Sequence, residues 1–217
     1  FSKNNSALYT PFYAVTSGNW NSVIACETLV KEMYNTKKGL ADPRYYYYFT
    51  KPLGAPTQLF KSNLDAFLAK NVSAAGNSKV GRYPNGNSGQ IGNLKNADRY
   101  ALMNYSELLF IFAEAGQRGW LNISYPVVKK IYLEAVTESA LEWNTTESAG
   151  SEDMTKFIGI LSDEIEADNA LEKILTQKWV SMFWVGIESW CDYRRTGYPV
   201  LKTNGEAADN NYILPTR

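Results

Sequence analysis

No histidine occurs among the 217 residues, and that absence limits the available chemistry more than any motif in the chain. Without imidazole there is no Ser-His-Asp or Cys-His nucleophile pair, and no zinc site with histidine ligands. Carboxylates, lysines, tyrosines and two thiols remain for catalysis. Glu107 and Glu114 are the notable carboxylate pair. Two helical turns would set them roughly 10 Å apart, from the ~1.5 Å rise per residue, a spacing compatible with an inverting glycosidase. The favoured reading is that one or both cap a neighbouring helix or pair with Arg99, Arg118 or Arg195, because buried carboxylates in helical proteins are usually paired.

The segment from Glu188 to Gly197, ESWCDYRRTG, is the densest polar and aromatic knot of the chain. Asp192 and Arg195 fall on adjacent turns, so the segment reads as an ion-pair network at a helix end that requires no ligand. Cys26 and Cys191 each sit among apolar residues in helical stretches and belong to no closely spaced pair. They read as two buried thiols behaving as small hydrophobes, with a single disulfide between them as the alternative.

Aromatic residues in loops offer a different chemistry, because the C–H face of a sugar ring stacks on indole or phenol while their polar tips hydrogen-bond. Trp143, Trp179 and Trp190 fall on helical apolar faces and read as core. Trp20 and Tyr83 lie in Gly- and Asn-bearing surroundings and read as exposed. The run Tyr45 to Tyr48, taken as extended, would bury two rings and expose two. The candidate ligand-binding set is therefore Trp20, Tyr46, Tyr83, Asn85 and Asn87. No glycine-rich phosphate loop, EF-hand pattern or dinucleotide fingerprint is present, and no cofactor is expected. Loop Asp and Asn side chains could hold calcium without a recognisable pattern, which leaves a metal undetermined. Triplets of the form Asn-x-Ser/Thr at Asn4, Asn71, Asn122 and Asn144 matter only for a secreted eukaryotic protein.

The elements that must position these residues are clearest in the C-terminal half. From Asp98 to Arg118, Leu102, Tyr105, Leu109, Phe112 and Ala113 share a face, widened by Leu108 and Ile111, which predicts a helix buried on most of its circumference. Arg118 then Gly119 is the order expected at a helix end. Ser124 and Pro126 open a second helix, with Val128, Ile131 or Tyr132, Ala135, Ser139 and Trp143 on its inner face. The short connection makes the two an antiparallel pair. A short helix is expected from Met154 to Leu161. A long one follows from about Asp168 to Tyr193, with Leu171, Ile174, Leu175, Lys178, Met182, Phe183 and Trp190 as its periodic set. Gly186 inside it predicts either a close backbone approach or a break, and Gly197 with Pro199 stops it. Before these, a helix from about Trp20 to Tyr34 precedes aromatic and Gly/Asn/Ser-rich segments whose turn chemistry predicts long loops.

The charge balance, 22 basic against 22 acidic residues, supplies no electrostatic attraction for nucleic acid or an anionic membrane surface. The most apolar stretch, Tyr105 to Ala115, is interrupted by Glu107 and Glu114 and falls short of the ~20 apolar residues of a membrane span. The start FSKNNSALYT resembles neither a signal peptide nor a transit peptide, and a chain cut, processed or incomplete at that end is expected.

Asp42-Pro43-Arg44 before YYYYF, then NYSELLFIFAEAGQRGW, YLEAVTESALEW, ILTQKWVSMFWVGIESWCDYRRTGYPVL and ILPTR, in that order, resemble the SusD/RagB-like family of outer-membrane nutrient-binding lipoproteins of Bacteroidetes, in its SusD-like branch. Each motif is weak alone and specific in this succession. The likeness runs from about Asp42 onward and corresponds to the C-terminal part of a family member. It implies a mainly α fold with tetratricopeptide-like helix pairs and long irregular loops, either a single domain over 1–217 or a C-terminal fragment, loop-rich over 1–97 and helical over 98–200. It also implies a non-catalytic protein on the outward side of the outer membrane, held by an N-terminal lipid anchor outside this chain. Such a protein captures an oligo- or polysaccharide and partners a SusC-like TonB-dependent transporter. On that likeness Glu107, Glu114, Gln177, Lys178, Trp179, Asp192, Arg194 and Arg195 are scaffold. The alternative is a tetratricopeptide-like scaffold for protein–protein interaction, with its key residues on helices.

Overall fold

A computed structural model describes residues 27–35, 40–48, 103–143, 152–183 and 185–201. These fall in two compact units. The first contains helix α1, Glu27–Met33, whose Leu29 and Met33 are one turn apart and both buried. It also contains α2, Tyr45–Tyr48, a single turn closed by the Tyr48 N–H donating to the Arg44 carbonyl at 2.9 Å. The tyrosine run is thus helical, and the expected alternation of an extended segment does not apply. A two-stranded ladder joins β1, Tyr34–Asn35, to β2, Leu40–Ala41.

The second unit is helical apart from this short ladder: α3 Tyr105–Gln117, α4 Tyr125–Trp143, α5 Glu152–Glu164, α6 Ala170–Ser181 and α7 Gly186–Thr196. Helix α3 begins after Asn104, which has extended backbone angles. Glu107 in its first turn reaches back to the Asn104 backbone N–H, half of a capping box. It ends as the sequence predicts. The Arg118 N–H donates to the Glu114 carbonyl, and Gly119 turns the chain with φ +74°, a conformation that costs a side-chain-bearing residue energy. Ser124 opens α4, its carbonyl accepting from the N–H groups of Val127 and Val128.

The pair α3–α4 makes the most extensive contact in the unit, and it is antiparallel. At one end Asn104 Nδ2 and Ser106 Oγ donate to the Glu142 carboxylate at 2.9 and 2.6 Å. At the other, Gly116 lies against Ile123 and Val128 so closely that a Cβ there would stand 2.5 Å from Ile123 Cδ1. Phe110 of α3 meets Tyr132 of α4 edge to face with ring centroids 6.5 Å apart. Val128, Tyr132, Ala135, Val136, Ser139 and Ala140 form the inner face of α4, and Met154, Phe157 and Leu161 of α5 with Ile174 of α6 complete the core.

Three expectations change. The buried face of α3 is Ser106, Glu107, Leu109, Phe110, Ala113, Glu114 and Gly116, whereas Tyr105 (54% exposed) and Phe112 (44%) face outward with Leu108 and Ile111. Leu108 to Phe112 is apolar all round, so periodicity alone could not choose a face. The neutralised carboxylates chose it. Helix α5 is longer than expected, because Ile165 continues the Met154, Phe157, Leu161 spacing into the core. The long C-terminal helix is broken between α6 and α7. Gly186 opens α7 and a Cβ there would meet nothing within 4 Å, so the glycine marks a break and not a close approach.

Candidate functional site

Trp20, Tyr83, Asn85 and Asn87 of the expected ligand-binding set lie outside the described residues. Tyr46 lies in α2; in that turn Tyr48 is fully buried and Tyr45 half-buried. The described residues therefore do not test this set. What the structure does bring together is the set of charged residues on α3, α6 and α7.

Glu114 is buried and is the acceptor at the centre of this cluster. Arg195 of α7 donates to both of its oxygens, with Nη2 to Oε2 at 2.8 Å, and Arg118 Nε donates to Oε1 at 2.7 Å. Burial opposes ionisation of this carboxyl, but the hydrogen bonds from Arg195 and Arg118 outweigh it and hold its pKa below the ordinary value. On α7, Asp192 receives Lys178 Nζ at 2.7 Å on one oxygen and Arg195 Nη2 at 2.8 Å on the other. Its pKa is likewise lowered: desolvation pushes it up, and the hydrogen bonds from Lys178 and Arg195 push it further down. The carboxylates keep the Arg195 guanidinium protonated throughout, Glu114 contributing most.

Glu107 is the exception in this cluster. Burial raises its pKa, and the neighbouring charges of Glu188 and Asp192 add to the shift, against the partial relief of Lys178 and of the Asn104 N–H. Two carboxyls on one helix thus carry opposite shifts, a separation that resembles an acid–base pair. Yet Glu114 has both oxygens committed to guanidinium groups, which favours the ion-pair reading of the sequence over a glycosidase pair. Lys178 belongs to the periodic set expected on the inner side of α6, although it is a cation. Its side chain is only 7% exposed, and Asp192 is the charge that allows this.

Two aromatic features lie outside the network. Trp120, 69% exposed in the turn after α3, carries the Arg118 guanidinium 5.4 Å from its ring centroid. Trp190 stacks on Tyr193 with centroids 5.8 Å apart. Trp190 is exposed, contrary to its expected place in the core, because α7 turns its charged side inward. For the same reason Cys191 is a free, exposed thiol and not a buried one. Cys26 lies outside the described residues.

A family model described as "Starch-binding associating with outer membrane", of the SusD-like type, matches residues 2–217. The chain belongs to this SusD-like family. Solved structures agree at the level of fold. A SusD homologue from Bacteroides fragilis matches at a TM-score of 0.62 and 20% identity, over 94% of this chain and 47% of that one. A chitin-binding SusD homologue from Flavobacterium johnsoniae matches at 0.54 and 24%, over 91% of this chain and 42% of that one. The SusD-like chain thus spans less than half the length of these structures. No curated protein matches it. Its helical architecture is that of the family, and among its described residues no helix is long and apolar enough to cross a membrane.

Proposed function

We propose that this SusD-like protein captures a glycan at the outward face of the outer membrane and passes it to a SusC-like TonB-dependent transporter, without breaking a bond. The observation that carries the reading is the family match over residues 2–217, whose description joins starch binding to the outer membrane. The chitin-binding relative supports a carbohydrate as the ligand class. The chemistry of the chain is consistent with capture. It has no histidine, and the conspicuous carboxylate of α3, Glu114, is saturated with arginine. A lipid anchor N-terminal to this chain is part of the proposal.

The ligand-binding residues we propose are Trp20, Tyr46, Tyr83, Asn85 and Asn87, whose rings would stack on pyranose faces while the amides fix hydroxyl groups. Isothermal titration against soluble starch and chitin oligosaccharides tests this. Saturable binding lost in Trp20→Ala and Tyr83→Ala supports both ligand class and site. Binding that survives both substitutions removes the site, and an absence of binding across a broad polysaccharide panel removes the capture function.

A second reading, a tetratricopeptide-like scaffold for a peptide or protein, is favoured by the antiparallel pair α3–α4 and the outward apolar residues Tyr105, Leu108 and Phe112. Hydrogen exchange separates the two. A glycan protects the loops, whereas a peptide protects α3.

A further inference from the structure

Helix α7 is packed inside out. None of its eleven residues is buried, and its apolar members Ile187 and Trp190 face outward. Its inner side is charged: Asp192 meets Lys178 of α6, and Arg195 meets Glu114 of α3. Helices normally stay docked because lifting them would return apolar surface to water. That penalty is reduced here, since the side chains of α3 and α6 that α7 is shown to face, Glu107, Glu114 and Lys178, regain hydration when uncovered. The backbone already breaks between α6 and α7, where the Met182 carbonyl accepts from the Val185 N–H at 2.8 Å, and no neighbour crowds Gly186.

We propose that α7 is a strap fastened by charge, which lifts as a unit about the break after α6 while α3 to α6 stay folded. Among the described residues, Asp192–Lys178 and Arg195–Glu114 are the ion pairs that fasten it to α6 and α3. Because Arg195 is 43% exposed, salt weakens its pairing with Glu114 more than the better-buried Asp192–Lys178 pair, while the apolar core of α3, α4 and α5 is indifferent to it. Nothing in this depends on which ligand the protein binds.

Residue-resolved hydrogen exchange on the whole chain, at low and at high sodium chloride, tests the proposal. The amides of α7 should exchange about tenfold faster in high salt while those of α3 and α4 hold, the pattern of a sub-global opening. Asp192→Asn should give the same pattern at low salt. Exchange of α7 that matches α3 and α4 and ignores salt would overturn the strap. So would an Asp192→Asn variant in which α3 and α4 lose protection together with α7, since the helix would then be part of one cooperative block. The salt series on the unaltered chain decides the matter even if the variant does not fold.

Discussion

Arg195 and Glu114, 81 positions apart in sequence, meet through two parallel hydrogen bonds on one carboxylate, and Arg118 adds a third from four residues away. A planar guanidinium matches a carboxylate in this way and a lysine would not. The pair joins the start of the helical unit to its end and explains how α3 can turn Glu114 inward.

Replacing Glu114 by Gln should lower stability by about 1–2 kcal/mol in urea denaturation, because two guanidinium groups lose their charged acceptor but retain access to water. Arg118→Ala should cost less than about 1 kcal/mol, since it removes a single i,i+4 hydrogen bond and leaves the two from Arg195 in place.

The pH dependence follows from opposite shifts. Glu114 and Asp192 have lowered pKa values, so their stabilisation is present above their unfolded values and is lost as pH falls through their folded ones. Stability should therefore drop below about pH 4. Glu107 has a raised value, so its contribution is present under acid and lost as pH rises through the folded pKa. Glu107→Gln, which keeps an acceptor for the Asn104 N–H, should gain stability relative to the parent at pH 7 and lose that advantage at pH 4. A constant difference between the two pH values would contradict the shift.

The orientation of α3 is checked by two phenylalanines. Phe110→Ala removes a fully buried ring packed on Tyr132 and should cost about 3–5 kcal/mol. Phe112→Ala, on the outward side, should change stability by less than about 1 kcal/mol. The reverse order in thermal or urea unfolding would restore the face expected from periodicity.

Gly116→Ala should destabilise by about 1–3 kcal/mol, because its methyl group would enter the space of Ile123 and Val128, and the branched Val128 has few rotamers with which to retreat. Ile123→Ala in the same chain should recover part of the loss, a coupling that a double-mutant cycle reads directly.

Much of the helical unit was readable before any coordinates. The turn after Arg118, the Ser124–Pro126 start and the inner face of α4 follow from local rules that act within one or two helical turns. The buried face of α3 was not readable, because Leu108 to Phe112 satisfies any face and the choice depends on Arg195 and Lys178, remote in sequence. The same partners explain Trp190 and Cys191: charge turned α7 over, and no local pattern announces the position of a distant lysine. Gly186 stands out in the helical pattern, but a glycine there fits a crossing or a break equally well. Of the proposed ligand residues, Trp20 and Tyr83 stand out by their Gly/Asn surroundings and Tyr46 by its place in the aromatic run, and the order of family motifs supplies the context.

The connection between α5 and α6 is fastened from outside. Gln117 Nε2 donates to the Ala167 carbonyl at 2.8 Å, the Tyr125 hydroxyl donates to the Ile165 carbonyl at 2.9 Å, and Asn169 donates to the Glu164 carbonyl at 3.0 Å. Both outside clasps come from the turn end of the α3–α4 hairpin, so the two hairpins share one stapled corner. An insertion between Ile165 and Asn169 would unpick that corner and loosen the second hairpin from the first.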